Sequence, residues 1–214
     1  MKLDKKQLLL YAVTDRAWLR GNSLASQVEQ AVKAGVTFVQ LREKGLGFDD
    51  FLSQAKAVKQ ITDRYGVPFV INDNVEVALA CHADGVHVGQ EDMQAQKARE
   101  LLGPDKIIGV SAHSVAEALA AERAGADYLG VGAAFSTSTK PEAGALPHTA
   151  FREICRAVQI PVVAIGGIQE DNIMQLAGAG LAGVAVVSAI FAQEDIPAAV
   201  KRLHSCVERM VSAC

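Results

Sequence analysis

The sequence is poor in aromatic residues, at 5% of 214 positions with a single Trp. A core with so few rings is expected to be built from Val, Ile, Leu and Ala, a composition suited to parallel sheets covered by helices. None of the four cysteines, Cys81, Cys155, Cys206 and Cys214, sits in a CxxC pair, and "MKLDKKQLLLYAV" contains no long apolar signal segment. Both absences point to a reduced, cytoplasmic setting. No apolar run approaches the roughly 20 residues that a membrane helix needs. The net charge is −3, with no basic run. Binding to nucleic acid or a membrane surface by bulk electrostatics is therefore not expected, and any anion site must be built locally. No GxGxxG follows the first apolar run, which argues against a dinucleotide fold.

Half of the residues are hydrophobic and 21% are charged, enough for a full globular core. Eight short runs rich in Val and Ile recur along the chain. They are "LLLYAVT" (8–14), "TFVQL" (37–41), "PFVIN" (68–72), "GVHVG" (85–89), "KIIGVS" (106–111), "DYLGVG" (127–132), "PVVAIG" (161–166) and "GVAVVS" (183–188). Their near-continuous apolarity predicts strands buried on both faces. Segments with helical spacing lie between them. "SLASQVEQAVKAG" (23–35) places Leu24, Val28, Ala31 and Val32 on one face, and "SVAEALAAERAG" (114–125) opens with Ser114 as N-cap and Glu117 at the capping-box position. Several segments close on Gly, as in "AVKAG", "AERAG" and "QLAGAG". The alternation predicts an α/β fold, a single-domain TIM (β/α)8 barrel over residues 1–214. A doubly wound sheet is the alternative, distinguished by a reversal of strand order.

In a TIM barrel, functional groups gather at the C-terminal ends of the strands. Polar residues stand at every predicted end: Thr14-Asp15-Arg16, then Gln40 with Arg42 and Lys44, then Asn72-Asp73-Asn74, then His87, Gln90 and Asp92. Ser111 and His113 follow, then the "FSTSTKPEAGALP" loop, Gly166-Gly167, and Val187-Ser188. In "VQLREKG" (39–45), Gln40, Arg42 and Lys44 alternate with Leu41 and Glu43, so a continued strand turns two cations and an amide to one side. That is an anion cradle, with the planar Arg suited to bidentate phosphate contact. A structural network of ion pairs is the alternative. Asp73 and Asp92 follow neighbouring strands and could share a Mg²⁺ ion with substrate phosphates, though Asp73 could instead cap the helix near Val75. His87 and His113 are expected to pack in the barrel, each satisfied by a hydrogen bond, and His82, His148 and His204 to lie on the surface or in loops. The hydroxyls of Thr137, Ser138 and Thr139, with Lys140, could hold phosphate in a lid-like loop. Gly167 and Ser188 could do so through backbone N–H groups and a hydroxyl.

The ordered set "YAVTD", "VQLREK", "IND", "GVHVGQED", "IGVSAHS", "GADYLGVGAAFSTSTK", "AIGGI" and "GVAVVSAI" resembles the thiamine-phosphate synthase family, over roughly residues 8–200. The resemblance implies a transferase with a TIM-barrel fold. It would join hydroxymethylpyrimidine pyrophosphate to a thiazole phosphate, releasing pyrophosphate with one Mg²⁺ per subunit. It implies that Gln40, Leu41, Arg42, Glu43, Lys44, Asn72, Ser111 and Lys140 line the pyrimidine-pyrophosphate site. Arg42, Lys44, Ser111 and Lys140 among them would serve catalysis. It gives Thr137, Ser138, Thr139, Gly167, Val187 and Ser188 to the thiazole phosphate, and Asp73 and Asp92 to the metal. Family members often carry Arg where this chain has Asn74. The implied partners are small phosphorylated molecules, with neither nucleic acid nor membrane and with a homo-oligomer left open. Competing readings are a related thiazole tautomerase, a phosphosugar isomerase or epimerase, and a non-catalytic ligand-binding regulator.

Overall fold

Eight strands form at the eight predicted apolar runs. In the computed structural model, which describes residues 3–89, 95–136 and 144–213, they are β1 (Leu10–Val13), β2 (Phe38–Leu41), β3 (Phe69–Asn72), β4 (Gly85–Val88), β5 (Ile107–Ala112), β6 (Tyr128–Val131), β7 (Val162–Ile165) and β8 (Gly183–Val186). All neighbours pair in parallel, and β1 pairs with β8, so the sheet closes in sequence order. Closure without any reversal of strand order excludes the doubly wound alternative. No helix among the described residues is long and apolar enough to cross a membrane.

Helices cover the outside of the barrel: α1 (Leu24–Ala34), α2 (Phe48–Tyr65), α3 (Val75–Ala80), α4 (Ala95–Leu102), α5 (Val115–Arg123), α6 (His148–Ala157), α7 (Ser188–Phe191) and α8 (Ile196–Ser212). Their local chemistry follows the sequence. Ser23 caps α1 by accepting from the Ser26 amide at 3.1 Å, and Gly35 ends it at φ 122°. Ser114 caps α5, accepting from the Glu117 amide at 3.2 Å, while the Glu117 carboxylate takes the His113 amide at 2.8 Å. After β7 the expected helix is absent. A 3₁₀ turn over Ile173–Leu176 replaces it, followed by Gly178 and Gly180 in left-handed backbone. Glycine so placed disfavours another helical turn.

Period-two alternation sorts each strand between two cores. Leu10, Ala12, Val39 and Leu41 point outward into the layer beneath the helices. Tyr11, Val13, Phe38, Val70, Ile107, Tyr128, Val163 and Ala185 fill the barrel interior. The expectation of an aliphatic core therefore fails at the centre. Three rings meet there, with centroids 4.6 Å apart for Tyr11–Phe38, 5.9 Å for Tyr11–Tyr128 and 5.6 Å for Phe38–Tyr128. The reason is geometric: eight strands enclose a space that a few large side chains can fill when glycine stands opposite them. A Cβ on Gly109 would lie 2.1 Å from Tyr128 Cζ.

Candidate active site

The cavity at the C-terminal ends of the strands encloses about 1020 Å³, open solvent included. Its floor is the upper barrel interior, with Val13, Val163, Ile165 and Ala185. Its wall carries Gln40, Arg42, Asn72 and Ser111 from the arc β2–β5, and Gly167, Val187 and Ser188 from β7–β8. His87, His113 and Gly166 line it too, so ten of the residues expected at the mouth face one space.

β2 departs from the sequence expectation. The strand ends at Leu41, so alternation does not continue through the charged segment. Gln40 is 4% exposed, and its Nε2 donates to Tyr11 Oη. Leu41 is fully buried in the helix-side core, which leaves only its backbone for the mouth. Arg42 is half-buried in the cavity wall, with its backbone N–H held by Thr14 Oγ1 at 3.0 Å. Lys44 lies in an exposed bend outside the wall. Arg42 and Lys44 therefore do not share one strand face. Among the described residues Arg42 forms no ion pair, and the adjacent Glu43 pairs instead with Arg16 at 3.5 Å. The Glu43 side chain is only 2% exposed and its Oε1 has no hydrogen-bond partner. Burial raises its pKa against the pull of Arg16.

At β3, Asn72 Nδ2 donates to Asp73 Oδ2, and the Asp73 amide donates to the His87 carbonyl at 2.9 Å. Asp73 stands at φ 62°, in the left-handed region that Asp tolerates better than most residues. The cap of α3 is Asn74, which accepts from the Val77 amide at 2.8 Å. The capping alternative for Asp73 is thereby removed, and the departure at Asn74 has a structural role of its own. Asp15 is likewise occupied locally, accepting from the Ala17 amide at 2.9 Å.

The histidines need two corrections. His87 is buried as expected but makes two side-chain hydrogen bonds, Nδ1 to Tyr128 Oη and Nε2 to Ser111 Oγ, each 3.0 Å. His113 does not pack in the barrel. It is exposed at the cavity rim, with Nδ1 3.0 Å from Glu117 Oε2. Strand alternation places His87 inside the barrel, whereas His113 lies past the end of β5 and escapes it. At β7, Gly167 has φ 65°, and a Cβ there would stand 2.4 Å from the Ser136 carbonyl oxygen. Glycine is thus required for the loops after β6 and β7 to meet. Asn172 Nδ2 secures the Gly167 carbonyl at 2.9 Å.

Asp92, Thr137, Ser138, Thr139 and Lys140 lie outside the described residues. No cluster of three or more His, Cys, Asp or Glu suited to a metal occurs among the described residues. Tyr11 and Tyr128 were not anticipated at the site. Each is a Tyr within an otherwise apolar strand, and a buried phenol needs a partner, which is the signal that could have revealed them.

Residues 10–190 match the family model described as thiamine monophosphate synthase. A thiamine-phosphate synthase from Ruminiclostridium cellulolyticum is 52% identical over 200 residues, covering 94% of this chain and 95% of its own. One from Clostridium acetobutylicum is 52% identical over 187 residues, with 87% and 89% covered. A solved thiamine phosphate pyrophosphorylase from Pyrococcus furiosus superposes with a TM-score of 0.89 at 39% identity, covering 97% of this chain and 98% of its own. With the closed barrel and its polar mouth, these matches establish that the chain belongs to the thiamine-phosphate synthase family of transferases.

Proposed function

We propose that the mouth couples hydroxymethylpyrimidine pyrophosphate to a thiazole phosphate, free or carboxylated, by dissociative loss of pyrophosphate. The observation that carries this reading is the division of the cavity. Arg42, Asn72 and Ser111 stand on one arc, Gly167, Val187 and Ser188 on the other, and an apolar floor lies between them. Two anionic substrates can then approach a reacting centre from opposite sides.

Arg42 grips the pyrophosphate with its planar fork, and Ser111 donates to the same group. Gln40 and Asn72 orient the pyrimidine. Lys44 adds positive charge nearer solvent, Lys140 supplies a further cation to the leaving group, and backbone N–H groups at Gly167 and Val187-Ser188, with the Thr137–Thr139 segment, hold the thiazole phosphate. The carbon–oxygen bond breaks with its electron pair leaving on pyrophosphate. The pyrimidine's amino group stabilises the resulting cation, and the thiazole nitrogen lone pair forms the new carbon–nitrogen bond. Val13, Val163, Ile165 and Ala185 keep water from this centre, where it would capture the cation as an alcohol. No activated nucleophile from the chain is needed.

The donor chemistry suits Mg²⁺, a hard cation that takes oxygen ligands. Asp73 is not spent on a helix cap, and together with Asp92 it would hold the ion. When bound, Mg²⁺ neutralises charge on the leaving pyrophosphate. The test is direct: incubate the protein with both substrates and Mg²⁺ and measure thiamine phosphate and released pyrophosphate. Isomerisation of the thiazole phosphate without coupling would overturn this reading in favour of the tautomerase.

A further inference from the structure

Three side chains outside this mechanism, Tyr11, Tyr128 and His87, join two within it into one hydrogen-bonded line across the barrel. It begins at Gln40 on β2, whose Nε2 donates to Tyr11 Oη on β1. The Tyr11 and Tyr128 hydroxyls are 2.9 Å apart. Tyr128 Oη on β6 lies 3.0 Å from His87 Nδ1 on β4, and His87 Nε2 lies 3.0 Å from Ser111 Oγ on β5. Gln40, Tyr11, His87 and Ser111 border the cavity and Tyr128 does not, and the two phenols are 1% and 0% exposed. The crossing depends on Gly109, where a Cβ would stand 2.3 Å from Tyr128 Oη and 2.5 Å from His87 Nδ1.

Donor counting gives the line a direction. An amide nitrogen only donates, so Tyr11 Oη accepts from Gln40. The Tyr11 proton then goes to Tyr128 Oη, and the Tyr128 proton to His87 Nδ1. A neutral imidazole that accepts at Nδ1 carries its proton at Nε2 and donates it to Ser111 Oγ. With the Gln40 amide so oriented, the opposite order would leave the buried Tyr11 proton without an acceptor in the line, an unfavourable arrangement. Burial also pushes both phenol pKa values upward, so both phenols stay protonated.

We propose that Tyr11, Tyr128 and His87 are positioning residues forming a one-way relay that anchors the Gln40 amide and makes Ser111 a donor toward an anion at the mouth. The inference rests on the proposed function only in naming that anion as the leaving pyrophosphate. The relay also makes the two substrate-orienting groups interdependent, although they sit on strands three apart in the barrel order.

Two measurements on the full chain test it. ¹⁵N-histidine NMR at neutral pH, with the His87 signals identified by their loss in His87→Gln, should show the proton on Nε2 and a bare Nδ1. A proton on Nδ1 would overturn the relay, because Tyr11 would then be serving a turned Gln40 amide. This readout needs no substrate, so it stands even if the wild-type protein fails to couple the two substrates, an outcome that would sink the synthase reading alone. The second measurement is kinetic. Tyr128→Phe should lower kcat/KM for the pyrimidine pyrophosphate by about tenfold, the effect of misaligning one hydrogen bond to a charged group. Its KM for the thiazole phosphate should move by less than about twofold, because that end of the site is untouched. Tyr11→Phe/Tyr128→Phe should lose no more than Tyr128→Phe alone, since a line already cut cannot be cut again. Additive losses, or equal losses toward both substrates, would show a merely structural role and overturn the proposal.

Discussion

Replacing Arg42 by Lys keeps the charge and removes the fork. The guanidinium stands half-buried in the cavity wall, with its backbone fixed by Thr14 Oγ1 at 3.0 Å. It makes no ion pair among the described residues. An ammonium replaces two parallel hydrogen bonds by one directed contact. A hydrogen bond to a charged group contributes about 1.5–3 kcal/mol, so Arg42→Lys should lose roughly ten- to a hundredfold in kcat/KM for the pyrimidine pyrophosphate. Glu43 supplies the control from the adjacent position. Its carboxylate is 2% exposed and faces Arg16 at 3.5 Å, outside the cavity wall. Burial raises its pKa, so the folded state binds the proton more tightly than the unfolded chain. Folding stability from this group falls as pH rises from the unfolded value toward the folded one, and Glu43→Gln should flatten that slope. Its effect on kcat/KM should stay within about threefold, as for a side chain that touches no substrate. The assay is steady-state kinetics at saturating thiazole phosphate and Mg²⁺, with thermal midpoints matched. Equal damage from the two substitutions would refute the anion-cradle account of this segment.

Asp73→Asn retains a residue that accepts left-handed backbone, so it should fold normally yet weaken apparent Mg²⁺ affinity by at least about tenfold, a scale reached even by outer partners of metal sites. Unchanged Mg²⁺ dependence of turnover would remove Asp73 from the metal site. Asn74→Ala should cost about 1 kcal/mol in urea denaturation through loss of the α3 cap and leave substrate KM values alone. A raised KM with unchanged stability would instead place Asn74 on the substrate. Burial pushes the Cys155 thiol up to about 11, leaving roughly one thiolate in a thousand at pH 8. Alkylation by iodoacetamide, mapped by mass spectrometry, should spare Cys155 in the folded protein and accelerate as pH rises; labelling at the rate of an unfolded control would contradict its burial.

Much of the fold was legible because burial on both faces leaves a repeated mark, a short Val- and Ile-rich run between helical segments. β2 was expected over 37–41 and occurs at Phe38–Leu41; β8 was expected over 183–188 and ends at Val186. The replacement of a helix by a 3₁₀ turn after β7 was less legible, because "QLAGAG" reads equally as a helix end and as a segment too rich in glycine to form the helix.

The sequence by itself determined the eight strand segments and the set of polar residues that follow them, because apolar runs and chain order are local properties; that the sheet closes, β1 pairing with β8, was decided by the tertiary structure. Tertiary structure alone decided which of those residues share a space. Arg42 enters the cavity and Lys44 does not, because the strand ends between them and periodicity stops with it. Asn74 rather than Asp73 takes the helix cap, a choice between neighbours that depends on backbone angles. The line from Gln40 through Tyr11, Tyr128 and His87 to Ser111 joins five strands whose contacts are far apart in the chain. Only barrel closure brings those hydroxyls, the amide and the imidazole within hydrogen-bond distance, and their burial makes each of them depend on the others for a partner.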